Sequence, residues 1–377
     1  MPVLLAGAFG QRNPGDEALL ASFVQELRTW PLVATTSDRV QTESEHGIET
    51  VSAQDPRAVA RAVGRADGIV FAGGTVFKTL HPRSGRRPLE LLRNGLAVAA
   101  AASVAGTPLA LNGVGAAPLP TRRARALARG IVHRADLLIL RDAESARLLA
   151  DAGAPSPFRV GADASWTRIE APTAPSARGD AVIVALSHLA GGPGLAARLA
   201  RVLAPLQRAG LRLRLQPWQV RADGEGDGAD DLALARALAQ QLPAPAEIVP
   251  PPATLDDARD FFAGARLVVA LRFHALLAAA AAGVPAIAYA HEAKLAGLGK
   301  RLGQPVVQPA GTPEAVGNAV LAAIEDGVLP APPEAIEHER DRARAGMALL
   351  RLLLSGGRSS ERAAVSGLDL VPTGWIA

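Results

Sequence analysis

The sequence predicts an α/β protein of two doubly wound parallel-sheet domains that face a cleft, followed by a C-terminal helix. Three observations point to this class. Short apolar runs alternate with longer amphipathic stretches along most of the chain, the pattern of parallel strands joined by crossover helices. The 377 residues exceed what one core of ordinary size needs, and a Pro/Ser/Ala-rich stretch without periodicity at 170–179 offers a break. Glycine-rich and charged motifs fall directly after apolar runs, where ligands sit in such folds.

In the first half the expected strands are 3–6, 32–35, 68–72, 108–113 and 137–140. The expected helices are 15–28, 56–65, 88–105, 121–134 and 143–152. A second series of strands runs through 181–186, 211–216, 247–249, 267–270, 286–289 and 306–307. The acidic, glycine-rich stretch 222–231 reads as a solvated loop, and the three prolines at 250–252 as a rigid turn. A long Arg/Glu-rich helix over 333–354 closes the fold, and the Ser/Gly-rich tail beyond 355 is expected to be poorly ordered. These limits give a first domain at 1–172, a linker at 173–179, a second domain at 180–332 and a helix with tail at 333–377.

Composition narrows the chemistry. At 49% hydrophobic and 20% charged residues the chain is no disordered polymer, and mean hydropathy is only +0.17. Absence of cysteine excludes disulfides, thiolate metal sites and a thiol nucleophile. No metal-ligand spacing and no cofactor fingerprint is read, so neither a metal nor a cofactor is expected. The N-terminus has no basic stretch before its short apolar run. The uncharged run 95–121 is mostly Ala and Gly and is cut at Gly106-Thr107-Pro108, whereas a membrane span needs about 20 strongly apolar residues. A soluble, cytoplasmic protein is expected.

Charge is unevenly placed. The first 170 residues hold 20 basic and 16 acidic side chains, so the whole net charge of +4 lies there. Within 78–134, ten basic side chains face one acid, Glu90, and Arg122, Arg125 and Arg129 fall on one helical face. This is either a solvated basic face or a surface for an anionic membrane or a diphosphate-linked lipid. Nucleic acid is not expected, because no aromatic residue interleaves these arginines. Only three lysines occur, Lys78, Lys294 and Lys300, so cationic chemistry falls mostly to arginine.

Four motifs could carry chemistry. Gly7-Ala-Phe-Gly10-Gln-Arg-Asn13-Pro-Gly15-Asp16-Glu17 follows the first strand. It is no dinucleotide or P-loop fingerprint, and its carboxylates suit a hydroxyl better than a phosphate. Equally, Asn13 could cap the helix while Asp16 and Glu17 complement its dipole. Gly73-Gly74-Thr75 ends a buried strand and permits close ligand approach, or simply turns the chain; Asn112-Gly-Val-Gly115 is similar. Arg141-Asp142 ends another strand, as an anion clamp or as a salt bridge beside a helix cap. The sharpest is Arg272-Phe273-His274, straight after an apolar run. Two residues apart on an extended segment face the same side, pairing fixed charge with a titratable proton. His291-Glu292-Ala-Lys294 adds a lysine after the next strand.

Taken in order, these motifs together with Gly161-Ala-Asp163 resemble the polysaccharide pyruvyl transferase family over roughly residues 3–300. The sequence departs from the family at Ala72, where a third glycine is usual, and at Phe273, where leucine is common. The resemblance implies two Rossmann-like domains of the GT-B type. It also implies transfer of the enolpyruvyl group of phosphoenolpyruvate to a sugar of a cell-wall or surface polysaccharide, as a pyruvate ketal. Arg141, Arg272 and His274 would hold the donor, with Phe273 and Lys294 beside them. Gly10, Asn13, Gly15, Asp16, Gly73, Gly74 and Thr75 would meet the acceptor. An arginine-lined site matches a donor carrying carboxylate and phosphate. His274 is the candidate acid and Asp16, with Glu17 as alternate, the candidate base. The acceptor's lipid linkage and a place at the inner membrane face stay open. A nucleotide-sugar glycosyltransferase or epimerase on the same fold is the second reading, with Glu292 as its nucleotide-binding carboxylate; a non-catalytic sugar-binding module is the third.

Overall fold

The computed structural model describes residues 1–80, 86–155, 157–172, 179–220, 230–356 and 367–371. The chain forms two compact units. The first comprises residues 1–11, 16–168 and 339–377, and the second residues 12–15 and 169–338. The linker expected at 173–179 lies outside the described residues except for Gly179.

In the first unit β1 (Val3–Phe9), β2 (Leu32–Thr36), β3 (Glu49–Ser52), β4 (Gly68–Ala72), β5 (Thr75–Phe77), β6 (Leu109–Ala116), β7 (Leu137–Leu140) and β8 (Phe158–Val160) alternate with helices. Those helices are α1 (Pro14–Glu26), α2 (Arg39–His46), α3 (Pro56–Val63), α4 (Glu90–Ala105), α5 (Arg122–Val132) and α6 (Ala143–Asp151). The sheet order is β3-β2-β1-β4-β6-β7-β8, all parallel, with β5 pairing β6 off this path. β1, β2, β4 and β6 are almost wholly buried because apolar clusters cover both faces of the sheet, which explains their continuous apolar runs. Helix starts follow their caps: Asp55 accepts from the amides of Arg57 and Ala58, with Pro56 at the first helical position.

The second unit contains β9 (Ala181–Ala185), α7 (Leu195–Arg208), β10 (Arg212–Gln216), α8 (Asp231–Ala239), β11 (Glu247–Ile248), α9 (Leu255–Phe262), β12 (Leu267–Ala270), α10 (Phe273–Ala281), β13 (Ala286–Tyr289), α11 (Ala293–Arg301), β14 (Val306–Val307) and α12 (Pro313–Glu325). Its strands run parallel in the order β11-β10-β9-β12-β13-β14. The chain goes outward from β9 on one side and resumes at β12 on the other, so the order reverses between β9 and β12. In the first unit the same reversal lies between β1 and β4. In open parallel sheets ligands bind beyond the strand C-termini at this switch point.

Several expectations change. α2, β3, β5 and β8 are additional elements, short and polar enough that periodicity does not reveal them. β6 continues through Asn112-Gly-Val-Gly115 to Ala116 rather than ending at Gly113, which takes φ +66 at a register shift. α13 (Pro333–Leu354) matches the expected helix, but from Glu339 onward it belongs to the first unit. Gly346 on it lies against Asn112, where a Cβ would come within 2.9 Å of the amide oxygen. Part of the tail is ordered: β15 (Asp369–Val371) pairs antiparallel with β8. Among the described residues no helix is long and apolar enough to cross a membrane.

Candidate active site

The first unit builds its switch point from glycine. Gly10 takes φ +72, and a Cβ there would collide with the Thr36 hydroxyl, so no other residue fits the turn. Its amide donates to Glu17 Oε1 at 2.8 Å, and Ser37 Oγ donates to its carbonyl at 2.8 Å. Asn13 Oδ1 accepts from the Gly15 amide at 3.2 Å, the cap the sequence allowed. Glu17 is buried, and one of its oxygens braces the loop. Asp16, in the first turn of α1, is half-buried. Across the switch, Gly73 and Gly74 both adopt left-handed φ, +71 and +72. Gly73 donates to Asn112 O, while Gly115 N donates to Gly74 O, and Thr75 opens β5 beside Gly115.

Arg141 follows β7 as expected, but only 2% of its side chain is exposed. Nε donates to Asp142 Oδ2 at 3.2 Å and Nη1 to Asp163 Oδ2 at 3.4 Å. Burial works against its charge, yet the two carboxylates outweigh burial and raise its pKa above the ordinary arginine value. Each carboxylate is anchored in turn: Asp142 Oδ1 accepts from Ser145 N and Oγ, and Asp163 Oδ1 from Ser165 N and Oγ. The guanidinium lies under Gly115, where a Cβ would come within 2.6 Å of Nη2. Arg141 thus sits in a buried ion cluster joining β7, α6 and the segment after β8, with Asp142 capping α6, the salt-bridged arrangement that the sequence offered beside the anion clamp.

The second unit builds its switch point from side chains. Arg272, extended at φ −122, ends β12 and precedes α10. Its Nε donates to Leu186 O at 3.1 Å and its Nη2 to Asp231 Oδ2 at 2.6 Å. α10 already begins at Phe273, so Arg272 and His274 do not share one extended face as alternation suggested. Arg272 turns toward β9, while His274, half-buried, packs against residues 12–15: a Cβ on Gly15 would run into its Nδ1. Phe273 is buried, its ring edge-on to His274 at 5.4 Å. Lys294 Nζ pairs with Glu292 Oε2 at 2.5 Å, so both candidates after β13 sit in one ion pair.

The centre of this arrangement escaped the sequence reading. Asp231, expected in a solvated loop, is fully buried at the start of α8; residues 221–229 of that stretch lie outside the described residues. Its Oδ1 accepts from His188 N and faces His188 Nδ1, both at 2.7 Å. Its Oδ2 accepts from Trp218 N at 3.1 Å, Gln219 N at 2.9 Å and Arg272. Burial alone would raise its pKa, but the Arg272 charge and these hydrogen bonds prevail and hold it at about 2. An ionised carboxylate only accepts, so His188 Nδ1 carries the proton and Nε2 is left for other chemistry. One buried charge thus fixes the loops after β9, β10 and β12. Ser187-His188 directly after an apolar strand was the available signal. His291, after β13, is kept neutral: burial lowers its pKa, and the Lys294 and Arg272 charges add to this against Glu292.

Within the basic segment, Arg122 and Arg123 are exposed at the start of α5. Arg125 Nε instead donates to Leu119 O and Arg129 Nη1 to Ala152 O, both at 3.0 Å, so the helical stripe is partly a structural one. Arg87 and Arg93 line a cavity of about 490 Å³ with Thr79, Pro88, Leu89, Pro120 and Thr121. Trp166 and Trp218 are both core residues.

Known proteins share this architecture. HepE from Anabaena, solved with UDP, superposes with a TM-score of 0.60 at 15% identity, covering 94% of this chain and 100% of that one. MnaA from S. aureus, also solved with UDP, gives 0.60 at 12% identity over 94% and 97%. The UDP-GlcNAc 2-epimerase of Neisseria meningitidis, bound to UDP-GlcNAc, gives 0.58 at 13% identity over 94% and 100%. The fold is thus that of GT-B glycosyltransferases and epimerases. The curated proteins contain no significant match to this chain. Residues 13–292 match the family described as polysaccharide pyruvyl transferase, most of the chain, and the protein belongs to that family.

Proposed function

We propose that this family member transfers the enolpyruvyl group of phosphoenolpyruvate to a sugar of a cell-wall or surface polysaccharide precursor, forming a pyruvate ketal. The observation that carries it is the Asp231 hub, which fixes a guanidinium and an imidazole together at the switch point of the second unit. A carboxylate-plus-phosphate donor calls for such a pair: permanent charge to bind, and an imidazole nitrogen to face the leaving phosphate. Transfer needs a proton delivered to C3 of the donor, which makes C2 electrophilic. One sugar hydroxyl then adds at C2, and a second displaces inorganic phosphate, closing the ketal. Arg272 binds the donor, and His274 gives the proton to C3. His188, oriented by Asp231, serves the departing phosphate. Asp16 takes the hydroxyl proton; the commitment of Glu17 Oε1 to the Gly10 amide favours Asp16 over Glu17. Gly10, Gly73, Gly74 and Thr75 let the acceptor approach the first unit's backbone.

A second reading has one specific support: HepE and MnaA share the fold and were solved with UDP. Thermal stabilisation separates the two, because a ligand that binds only the folded state raises its melting temperature. Phosphoenolpyruvate is expected to raise it and UDP-sugars are not. Stabilisation by UDP alone overturns the phosphoenolpyruvate reading in favour of nucleotide-sugar chemistry. The exposed arginines at the start of α5 suit an anionic lipid surface, at which a lipid-diphosphate acceptor would be met at the inner membrane face. Flotation with vesicles containing anionic lipid tests this, and recovery independent of lipid charge rejects it.

A further inference from the structure

Away from the switch-point chemistry, α1 and the last turn of α2 bring three ligand-type side chains together. Glu17, Glu45 and His46 each offer one donor atom, and these atoms lie within 4.8 Å of one another. Glu17 Oε2 and His46 Nε2 face each other at 3.6 Å, and Glu45 Oε2 is 3.9 Å from the same nitrogen. The first two are deeply buried, with side chains 7% and 9% exposed, and neither of these atoms has a hydrogen-bond partner. Buried polar atoms without partners are rare, because leaving them so costs about 1–3 kcal/mol each.

A protonated imidazole would satisfy both carboxylates only by closing to charge-assisted hydrogen-bond distance, about 2.7–2.9 Å, and both gaps are wider. A metal ion fits the spacing better. Bonds of about 2.0–2.2 Å in tetrahedral geometry put neighbouring ligand atoms roughly 3.3–3.6 Å apart. The Glu17–His46 separation of 3.6 Å meets this and the Glu45–His46 separation of 3.9 Å approaches it, the exposed Glu45 side chain being the one free to close in. The carboxylates are also oriented as ligands are. Each uses its other oxygen for an outer hydrogen bond: Glu17 Oε1 accepts from Gly10 N at 2.8 Å, and Glu45 Oε1 from Gln41 Nε2 at 3.0 Å.

We propose that Glu17, Glu45 and His46 bind one divalent transition-metal ion, with Zn²⁺ the best match to one imidazole and two carboxylates. The fourth position belongs to water. Mg²⁺ is a poor occupant, because it favours oxygen ligands in octahedral geometry. The ion ties α2 to α1 and holds Glu17 in the orientation that braces the Gly10 turn, so metal occupancy sets the stiffness of that loop.

The test uses the full chain without an affinity tag, stripped of metal, titrated with ZnCl₂ by calorimetry, and with CoCl₂ read by its visible absorption. One equivalent of Zn²⁺ is expected to bind and raise the melting temperature, Mg²⁺ is not expected to compete, and Co²⁺ is expected to show a tetrahedral band. The double variant Glu45→Gln/His46→Gln is expected to bind zinc at least about 10-fold more weakly while keeping its circular dichroism spectrum. If that variant does not fold, Glu45→Gln alone carries the measurement, since Glu45 is exposed. Absence of stoichiometric zinc binding by the unmodified chain overturns the proposal. So does binding that the foldable variant leaves unchanged.

Discussion

Each unit places an arginine directly after a buried strand, and the two arginines have opposite fates. Arg141 is 2% exposed and faces two carboxylates, those of Asp142 and Asp163. Arg272 is 12% exposed and faces one carboxylate, which also holds an imidazole. An arginine after a strand therefore says where a ligand could sit, and the carboxylates buried beside it fix how far its guanidinium is committed to the protein.

The sharpest way to break this contrast is to remove the hub carboxylates. Asp231→Ala leaves Arg272 largely buried without a counter-charge and takes the acceptor from three backbone amides, those of His188, Trp218 and Gln219. It is expected to cost roughly 3–5 kcal/mol in urea unfolding. Asp163→Ala leaves Arg141 still paired with Asp142 and is expected to cost roughly 1–3 kcal/mol. Ligand binding divides the two sites in the same way. Arg272→Met is expected to abolish the thermal shift given by phosphoenolpyruvate, whereas Asp163→Ala, if folded, keeps it. Loss of that shift in folded Asp163→Ala would return Arg141 to the donor site.

Glycines sharpen the comparison at smaller cost. A methyl group at Gly15 must displace the His274 ring, so Gly15→Ala is expected to lower turnover at least about 10-fold while the melting temperature moves little. Gly74 meets open space, so Gly74→Ala carries only the left-handed backbone penalty of about 1–2 kcal/mol. Unchanged turnover in Gly15→Ala would remove His274 from the reaction.

The sheets of both units were legible because strands buried on both faces must be apolar throughout: β4, β7, β12, β13 and β14 match their expected limits. α2 was not, since it is an eight-residue polar helix defined by its Asp38 cap and a left-handed Gly47. The buried hub was half legible. Arg272 and His274 stood out because they follow an apolar run, and the same rule points to His188 after β9. Asp231 was hidden by its neighbours: a glycine-rich acidic stretch looks solvated, and nothing local shows that its last residue turns inward. The Glu17, Glu45 and His46 cluster was invisible because two helices must pack before their ligand atoms converge.

Acid probes the buried groups of the second unit most gently. Glu43 and Glu90 of the first unit, held below their ordinary range by hydrogen bonds from Thr50 and Arg86, lie at the surface and contribute little. In the second, buried groups titrate. His291 has its folded pKa lowered from 6.5, so the unfolded chain takes up a proton first, and stability falls as pH drops through about 6.5. Asp231, at about 2 folded against 3.8 unfolded, gives stability that is full above 3.8 and lost as pH falls toward 2. Urea unfolding followed from pH 7.5 to pH 3 is thus expected to show two successive losses. His291→Gln removes the upper one and leaves the lower, since Gln does not titrate. An upper loss that persists unchanged in that variant would assign it to a group other than His291, and the side-chain-built switch point would lose its upper titration.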